Sequence, residues 1–183
     1  MSMNLGLLVL RVVIGLILMG HGSQKLFGWF GGPGLKGARG VAAKMGFWPA
    51  AFWGPVAALG EFGGGALLAL GLLTPLAAVG IVAAMGIAVF RAHWKNGFWA
   101  NKGGYEYALT LLLVSAVLGL VGAGRYSLDA LLANAGLPLP TVALFVGTLI
   151  LAVIAIGIGL ALGSRHAQPA ATPAPTRTSE HAA

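Results

Sequence analysis

The chain of 183 residues is strongly apolar, with 58% hydrophobic residues, 8% charged residues and a mean hydropathy of +0.89. A soluble domain carries about three times that charged fraction, so the composition predicts an integral membrane protein without a separate soluble catalytic domain. The chain contains no cysteine. This excludes thiolate catalysis, iron–sulfur clusters and cysteine-ligated zinc sites.

Five apolar runs are long enough to form membrane-spanning helices, which need about 17–25 such residues. They cover residues 5–26, 51–73, 76–92, 105–121 and 140–163. The runs are continuous rather than alternating, and an open sheet cannot satisfy its backbone in lipid, so helices are predicted instead of strands. The fold class is therefore an all-α integral membrane protein, a four-helix transmembrane bundle followed by a fifth C-terminal transmembrane helix.

The positions of the basic residues predict the orientation in the membrane. With five spans, three basic groups share one side: Lys25, Lys36, Arg39 and Lys44; Arg91, Lys95 and Lys102; Arg165 and Arg177. The positive-inside rule then places the N-terminus outside and the C-terminus in the cytoplasm of a bacterial cytoplasmic (inner) membrane. This distribution also explains the formal charge of +7 by loops and lipid headgroups, so no nucleic-acid partner is expected.

The domain organisation follows from these runs. Residues 1–132 are predicted to form the bundle and residues 133–163 the additional helix, while the Pro-, Ala- and Thr-rich residues 164–183 are predicted to be disordered. Within the bundle, residues 28–49 combine a glycine-rich turn with basic residues at helical spacing, which predicts an amphipathic helix on the headgroups. Gly60 and Gly64, like Gly159 and Gly163, have the spacing of close helix packing, either within the chain or in a homo-oligomer.

The polar residues within the spans are the candidate functional residues. Glu61 lies in the middle of an apolar stretch, and an intramembrane acid is a functional candidate by default. At a rise of about 1.5 Å per residue its depth falls between those of Arg11 and His21. His21 and Lys25 are four residues apart and share one helix face. His93 ends the third span and Glu106 begins the fourth, and both are expected to join this group in the inner half of the bundle.

Each of these residues also has a structural interpretation. Arg11 and Glu61 would neutralise each other in hydrocarbon. Lys25 would extend to the lipid phosphates, and His93 would lie at the interface. Glu106 would favour the positive end of a helix dipole. His21 is the hardest to explain in this way, because it lies inside the apolar run between two glycines.

Several segments resemble the DoxX family in order and spacing. They are LRVVIG (10–15), HGSQKLF (21–27), GGPG (31–34), EFGGG (61–65), LGLLT (70–74), NGF (96–98), GGYEYA (103–108) and GRYSLD (124–129). The resemblance covers residues 4–132 and implies a four-helix membrane bundle. It also implies a redox context, because the family's namesake is a membrane subunit of a thiosulfate:quinone oxidoreductase. The fifth helix and the tail lie outside the pattern.

The leading functional hypothesis is a quinone-reactive membrane subunit of an oxidoreductase or redox-stress complex. Glu61, His21 and Glu106 are the candidate catalytic residues, with Arg11, Lys25 and His93 as cofactor-binding residues and quinone as the cofactor. A quinone needs a lipid-accessible pocket with hydrogen-bond donors, and its reduction consumes two protons. Trp29, Trp94 or Trp99 would flank the ring.

The sequence offers no flavin, haem-attachment or iron–sulfur motif, so electrons are expected from a partner redox subunit, and neither a bound metal nor a flavin is expected. A non-catalytic assembly or scaffold protein remains an alternative, as does a small proton-coupled transporter, although no inverted repeat is evident. Haem between His21 and His93, or a metal held with Glu106, has no local ligand spacing to support it.

Overall fold

All regular secondary structure that the computed structural model describes, over residues 2–167, is helical. The α-helices of this range are α1 (Ser2–Leu26), α2 (Gly34–Lys44), α3 (Ala50–Leu70), α4 (Thr74–Ile87), α5 (Glu106–Val121), α6 (Leu128–Asn134) and α7 (Thr141–His166). A π-helical segment, Ala88–His93, and a 3₁₀ turn, Trp94–Asn96, prolong α4. The helix α7 continues to His166, within the segment predicted as a tail, and the rest of that prediction lies outside the described residues.

Among the described residues, three helical segments are long and apolar enough to cross a membrane: Met3–Leu26, Thr74–Asn96 and Thr141–His166. Helix α5 is apolar but shorter, and the glycines, Pro55 and Glu61 of α3 lower its mean hydropathy. The chain is thus an all-helical, multi-pass membrane protein by these lengths and compositions. The arrangement of four spans plus one remains a prediction for α3 and α5.

The helices pack through small residues and a few fully buried aliphatic side chains. Helix α1 lies along α3, α4 lies between α3 and α5, and α7 covers α4 and α5. Leu18, Leu68, Ile81 and Leu118 are completely buried among them. Because lipid is as apolar as leucine, close backbone approach rather than hydrophobic burial holds such helices together. The glycine pairs predicted from spacing pack within the chain, for example Gly60 against the backbone of α4.

Helix α2 packs on α3 and contacts α1. Helix α1 ends at Leu26, and Gly22 near its end already lies against the backbone of Phe62 in α3. Beyond that level, Gly54 of α3 meets the backbone of α2 at Arg39. Ala38 and Ala42 of α2 are buried there, whereas its basic side chains are exposed. A helix therefore forms in this segment with one side on α3, and its location at the headgroups remains a prediction.

The turn between α3 and α4 is fixed by a short helix that the sequence pattern does not predict. Gly71 ends α3 with a φ of 61°, which favours glycine, and its carbonyl accepts from the Asp129 nitrogen at 2.8 Å. The Asp129 carboxylate accepts from the nitrogens of Leu73 at 2.7 Å and Thr74 at 2.9 Å. Asp129 therefore caps the start of α4 from α6, and the predicted bundle boundary at residue 132 falls inside α6.

Candidate functional site

The centre of the candidate site is an ion pair between α1 and α3. Glu61 lies about 16 Å from the start and about 14 Å from the end of α3, and its side chain is only 2% exposed. Lys25, in the last turn of α1, donates from Nζ to Glu61 Oε1, and its side chain is 38% exposed. Lys25 rather than Arg11 is therefore the counter-charge of the intramembrane acid, and Lys25 does not extend away to the lipid phosphates.

The second carboxylate oxygen of Glu61 differs from the first in its surroundings. Glu61 Oε2 is buried and has no hydrogen-bond partner within residues 2–167. A buried polar group left without a partner costs about 1–3 kcal/mol, and more when the group is charged. The geometry thus leaves one strong acceptor beside the ammonium group of Lys25, and that acceptor is available to a ligand.

This ion pair forms part of the wall of an apolar cavity of about 320 Å³. The cavity lies among α2, α3, α4 and α7, and within residues 2–167 its only charged wall residues are Lys25 and Glu61. Its apolar lining includes Val41, Phe47, Trp53, Val79, Ala84 and Ile156. Ligand sites are typically apolar cavities of roughly 300–1,000 Å³ with a few polar groups that fix orientation. The volume of this cavity is at the small end of that range, and its wall is likewise apolar with a few polar groups.

Helix α7 forms one wall of the cavity, although it lies outside the family resemblance. Ala152, Ala155 and Ile156 face the cavity. The cytoplasmic end predicted for α7 is held by the loop before α3, where the Trp48 nitrogen donates to the Gly159 carbonyl at 3.2 Å and the Trp48 ring stacks on His166 at 4.0 Å. Helix α7, predicted as the fifth span, is therefore part of the candidate site. The sequence pattern does not reveal this role of α7.

His21 is paired with a residue that the sequence pattern does not single out. Its Nε2 shares a hydrogen bond of 3.1 Å with the hydroxyl of Tyr107 in α5, and the two rings are tilted 5.7 Å apart. His21 and Tyr107 do not line the cavity, but His21 lies one helical turn before Lys25, the partner of Glu61. No sequence signal identifies this pair, because its members are 86 residues apart.

Arg11 lies at the other end of α1, about 21 Å from Lys25 along the helix. Its guanidinium is 2% exposed and donates from Nη1 to the Ala69 carbonyl at 2.6 Å, in the last turn of α3. It also packs against Gly71, and Asp129 is near enough to attract it. Arg11 thus satisfies the C-terminal end of α3, where cations are favoured, and it does not contact the cavity.

His93 and Glu106 organise the loop between α4 and α5. His93 Nδ1 donates to the Gly103 carbonyl at 2.8 Å. Glu106 Oε2 accepts from the Ala100 nitrogen at 3.0 Å, and the Glu106 nitrogen donates to the Phe98 carbonyl at 2.9 Å. The six predicted site residues therefore form separate contacts: Lys25 with Glu61, His21 with Tyr107, Arg11 with the end of α3, and His93 and Glu106 within one loop.

The aromatic residues of the cavity also differ from those expected. Trp29, Trp94 and Trp99 do not line it, and Trp94 stacks instead on Tyr105 at 5.1 Å. The nearby rings are Phe47 and Trp53, which lie 5.2 Å apart. Among residues 2–167, no three histidine or acidic side chains come together in a way that would hold a metal ion.

The fold and the site define a multi-pass helical membrane protein with a buried ion pair on the wall of an apolar cavity. The DoxX family model matches residues 6–94, and over this range the chain is similar to the DoxX family. The match covers α1 to α4 with Arg11, His21, Lys25, Glu61 and His93, and it ends before α5. Comparison with curated proteins gave no match, and neither did comparison with solved structures.

Proposed function

We propose that this chain is the membrane subunit of a quinone-linked oxidoreductase or redox-stress complex, and that its cavity binds the quinone head beside Lys25 and Glu61. The observation that carries the proposal is the buried, unpaired Glu61 Oε2 on the wall of an otherwise apolar cavity. The redox context of the DoxX family name also supports it.

The hydrogen-bonding groups of the ion pair suit both forms of such a ligand. A quinone carbonyl needs a donor, and the Lys25 ammonium has three, of which one is given to Glu61. A quinol hydroxyl needs an acceptor, and Glu61 Oε2 is one. The Trp53 and Phe47 rings provide flat apolar surface for the ring of the ligand. The same pair of side chains therefore serves both redox states.

The residues around the ion pair also suit proton transfer. A bound quinone supplies the redox chemistry, since two electrons from a partner redox subunit and two protons convert its carbonyls to hydroxyls. Glu61 and Lys25 hold protons next to the ligand oxygen, within hydrogen-bond reach as general acid catalysis requires. His21 and Tyr107, which share a hydrogen bond one helical turn before Lys25, return protons to the carboxylate. His93 and Glu106 have no part in this step, because the loop backbone engages them.

Binding of a short-chain benzoquinone to the purified protein in detergent tests the proposal. Loss of a hydrogen bond to a charged group is worth about 1.5–3 kcal/mol, so Lys25→Met and Glu61→Gln should weaken binding roughly 10- to 100-fold. Glu106→Gln is the matched control, because it changes a carboxylate outside the cavity and should leave affinity unchanged. Absence of binding by the unsubstituted protein, or equal affinity in all variants, would refute the proposal.

The hydrogen bonds of the other polar groups favour a second candidate function, that of a non-catalytic assembly protein. Arg11, Glu106 and Asp129 all bond to backbone at helix ends or loops, which is a structural use. If assembly is the function, Glu61→Gln and His21→Ala should reduce the amount of assembled complex in membranes. The activity per assembled complex should then stay constant, whereas the quinone proposal expects it to fall.

A further inference from the structure

A second apolar cavity adjoins the first one at the seam between α4 and α7. It has a volume of about 350 Å³ and lies among α4, α5 and α7. Ala83, Ile87, Ala152 and Ile156 line both cavities. In the described part of the chain Arg91 is its only charged lining residue, and the guanidinium donates to the Met45 carbonyl from Nε at 3.1 Å and from Nη2 at 2.5 Å. The two cavities therefore adjoin beneath α7 and share part of their walls, and together they are called the slot.

The slot exists because α7 is anchored on both sides of it and loosely packed between. On one side Phe145, which is 4% exposed, packs directly over Gly119 of α5. On the other side Gly159 lies against the Trp53 ring. Between these anchors several of the facing positions are small, namely Ala83, Gly86 and Ala152, and an added Cβ at Gly86 would meet nothing closer than 3.9 Å. Side chains of this size leave the space between α4 and α7 unfilled.

The slot reaches the surface of the protein that faces lipid. Val153 lines the second cavity and is 61% exposed, and Phe90 lines it at the other rim and is 66% exposed. The opening thus lies on the flank of two helices that are apolar enough to span a membrane. A molecule dissolved in the bilayer can reach the slot without passing through water.

From these shared walls and the lipid-facing opening we infer that the seam between α4 and α7 opens to admit the ligand from the bilayer and holds its hydrocarbon tail while the head lies at Lys25 and Glu61. The ligand class is then a long-tailed, lipid-soluble quinone rather than a water-soluble one. This inference rests on the proposed function. Because the lipid and the slot are similarly apolar, moving the tail from one to the other adds little to the affinity of the protein for the ligand. The seam therefore mainly determines the route and the position of the tail.

Two photoreactive quinones test this placement in membranes containing the full chain. One carries a diazirine on the head, and the other carries it at the end of a prenyl tail. We expect the head probe to label peptides of α1 and α3, and the tail probe to label residues 82–90 of α4 and 149–160 of α7. Gly86→Phe fills the seam and should abolish tail labelling there. Gly157→Phe, which adds the same ring in open space on α7, should leave it intact.

The outcomes separate this inference from the function on which it rests. One outcome is head labelling at α1 and α3 with tail labelling between α2 and α3, or spread over the lipid-facing side of α7. This outcome would contradict the placement of the tail in the seam but would still support quinone binding. Equal tail labelling in Gly86→Phe and Gly157→Phe would likewise contradict only the placement of the tail in the seam. No specific labelling by either probe would overturn both.

Discussion

Glu61 and Lys25 form an ion pair in which the acid is almost fully buried and the base is not, with exposed fractions of 2% and 38%. The two partners are therefore not equivalent. Removing the lysine leaves a carboxylate in an apolar wall without compensation, whereas removing the acid leaves an ammonium group that can still reach a polar environment. Breaking such a pair from the exposed side is expected to destabilise the protein by about 3–5 kcal/mol.

We predict that Lys25→Met lowers the free energy of unfolding more than Glu61→Gln does. The double variant should be more stable than Lys25→Met alone, because the unpaired charge is gone. Unfolding by titration with a denaturing detergent measures all three. Lys36→Met, on the exposed face of α2, is the control and should have little effect. Strict additivity of the two single substitutions would contradict the coupling.

Arg11→Leu should destabilise the bundle by about 1.5–3 kcal/mol, since it removes a charged hydrogen bond to the end of α3. Arg11→Lys should not restore it fully, because an ammonium group cannot reproduce the guanidinium fork. Quinone affinity should remain unchanged in the folded fraction, since Arg11 is about 21 Å from Lys25 along α1. A loss of affinity equal to that of Lys25→Met would place Arg11 in the binding site instead.

Two neighbouring glycines of α1 should respond oppositely to alanine. A Cβ at Gly22 would overlap the backbone of Phe62, so Gly22→Ala forces α1 and α3 apart, at about 1–3 kcal/mol. A Cβ at Gly20 meets nothing within 4 Å, and alanine is favoured over glycine in a helix by about 0.5–1 kcal/mol. The same detergent titration compares the two, and equal losses would show that α1 does not approach α3 at Gly22.

The orientation predicted from the basic residues can be tested with single cysteines, because the chain has none of its own. Ala135→Cys, in the exposed segment before α7, should react with a membrane-impermeant maleimide in intact cells. Lys102→Cys, in the loop before α5, should react only after permeabilisation. The reverse pattern would invert the topology. Reaction of both in intact cells would show that the chain between them does not cross the membrane.

The helices themselves follow closely from the pattern of apolar residues. The run predicted at 105–121 is the helix Glu106–Val121, and that at 140–163 is Thr141–His166. Helix α6 is not predicted from the pattern because it has only seven residues. It depends on Ser127, which accepts from the Ala130 nitrogen, and on the contact of Asp129 with the α3–α4 turn. Short helices of this kind are made by local capping and tertiary contacts rather than by periodicity.

The partners of the polar residues could not be predicted in the same way. Periodicity places His21 and Lys25 on one face of α1, but the rotation and crossing of α1 against its neighbours decide what that face meets. Close approach at Gly22 brings Lys25 to Glu61 and leaves Arg11 with the end of α3. Tyr107 becomes the partner of His21 for the same reason.

The amino-acid sequence by itself determined that the protein belongs in a lipid bilayer, how far its long helices extend and that it resembles the DoxX family. The length of apolar runs and the order of short sequence segments are local properties of the chain. Only the tertiary structure decided which cation neutralises Glu61 and that α7 closes a cavity beside it. These contacts join residues tens of positions apart, and they depend on how closely small side chains allow the helices to approach.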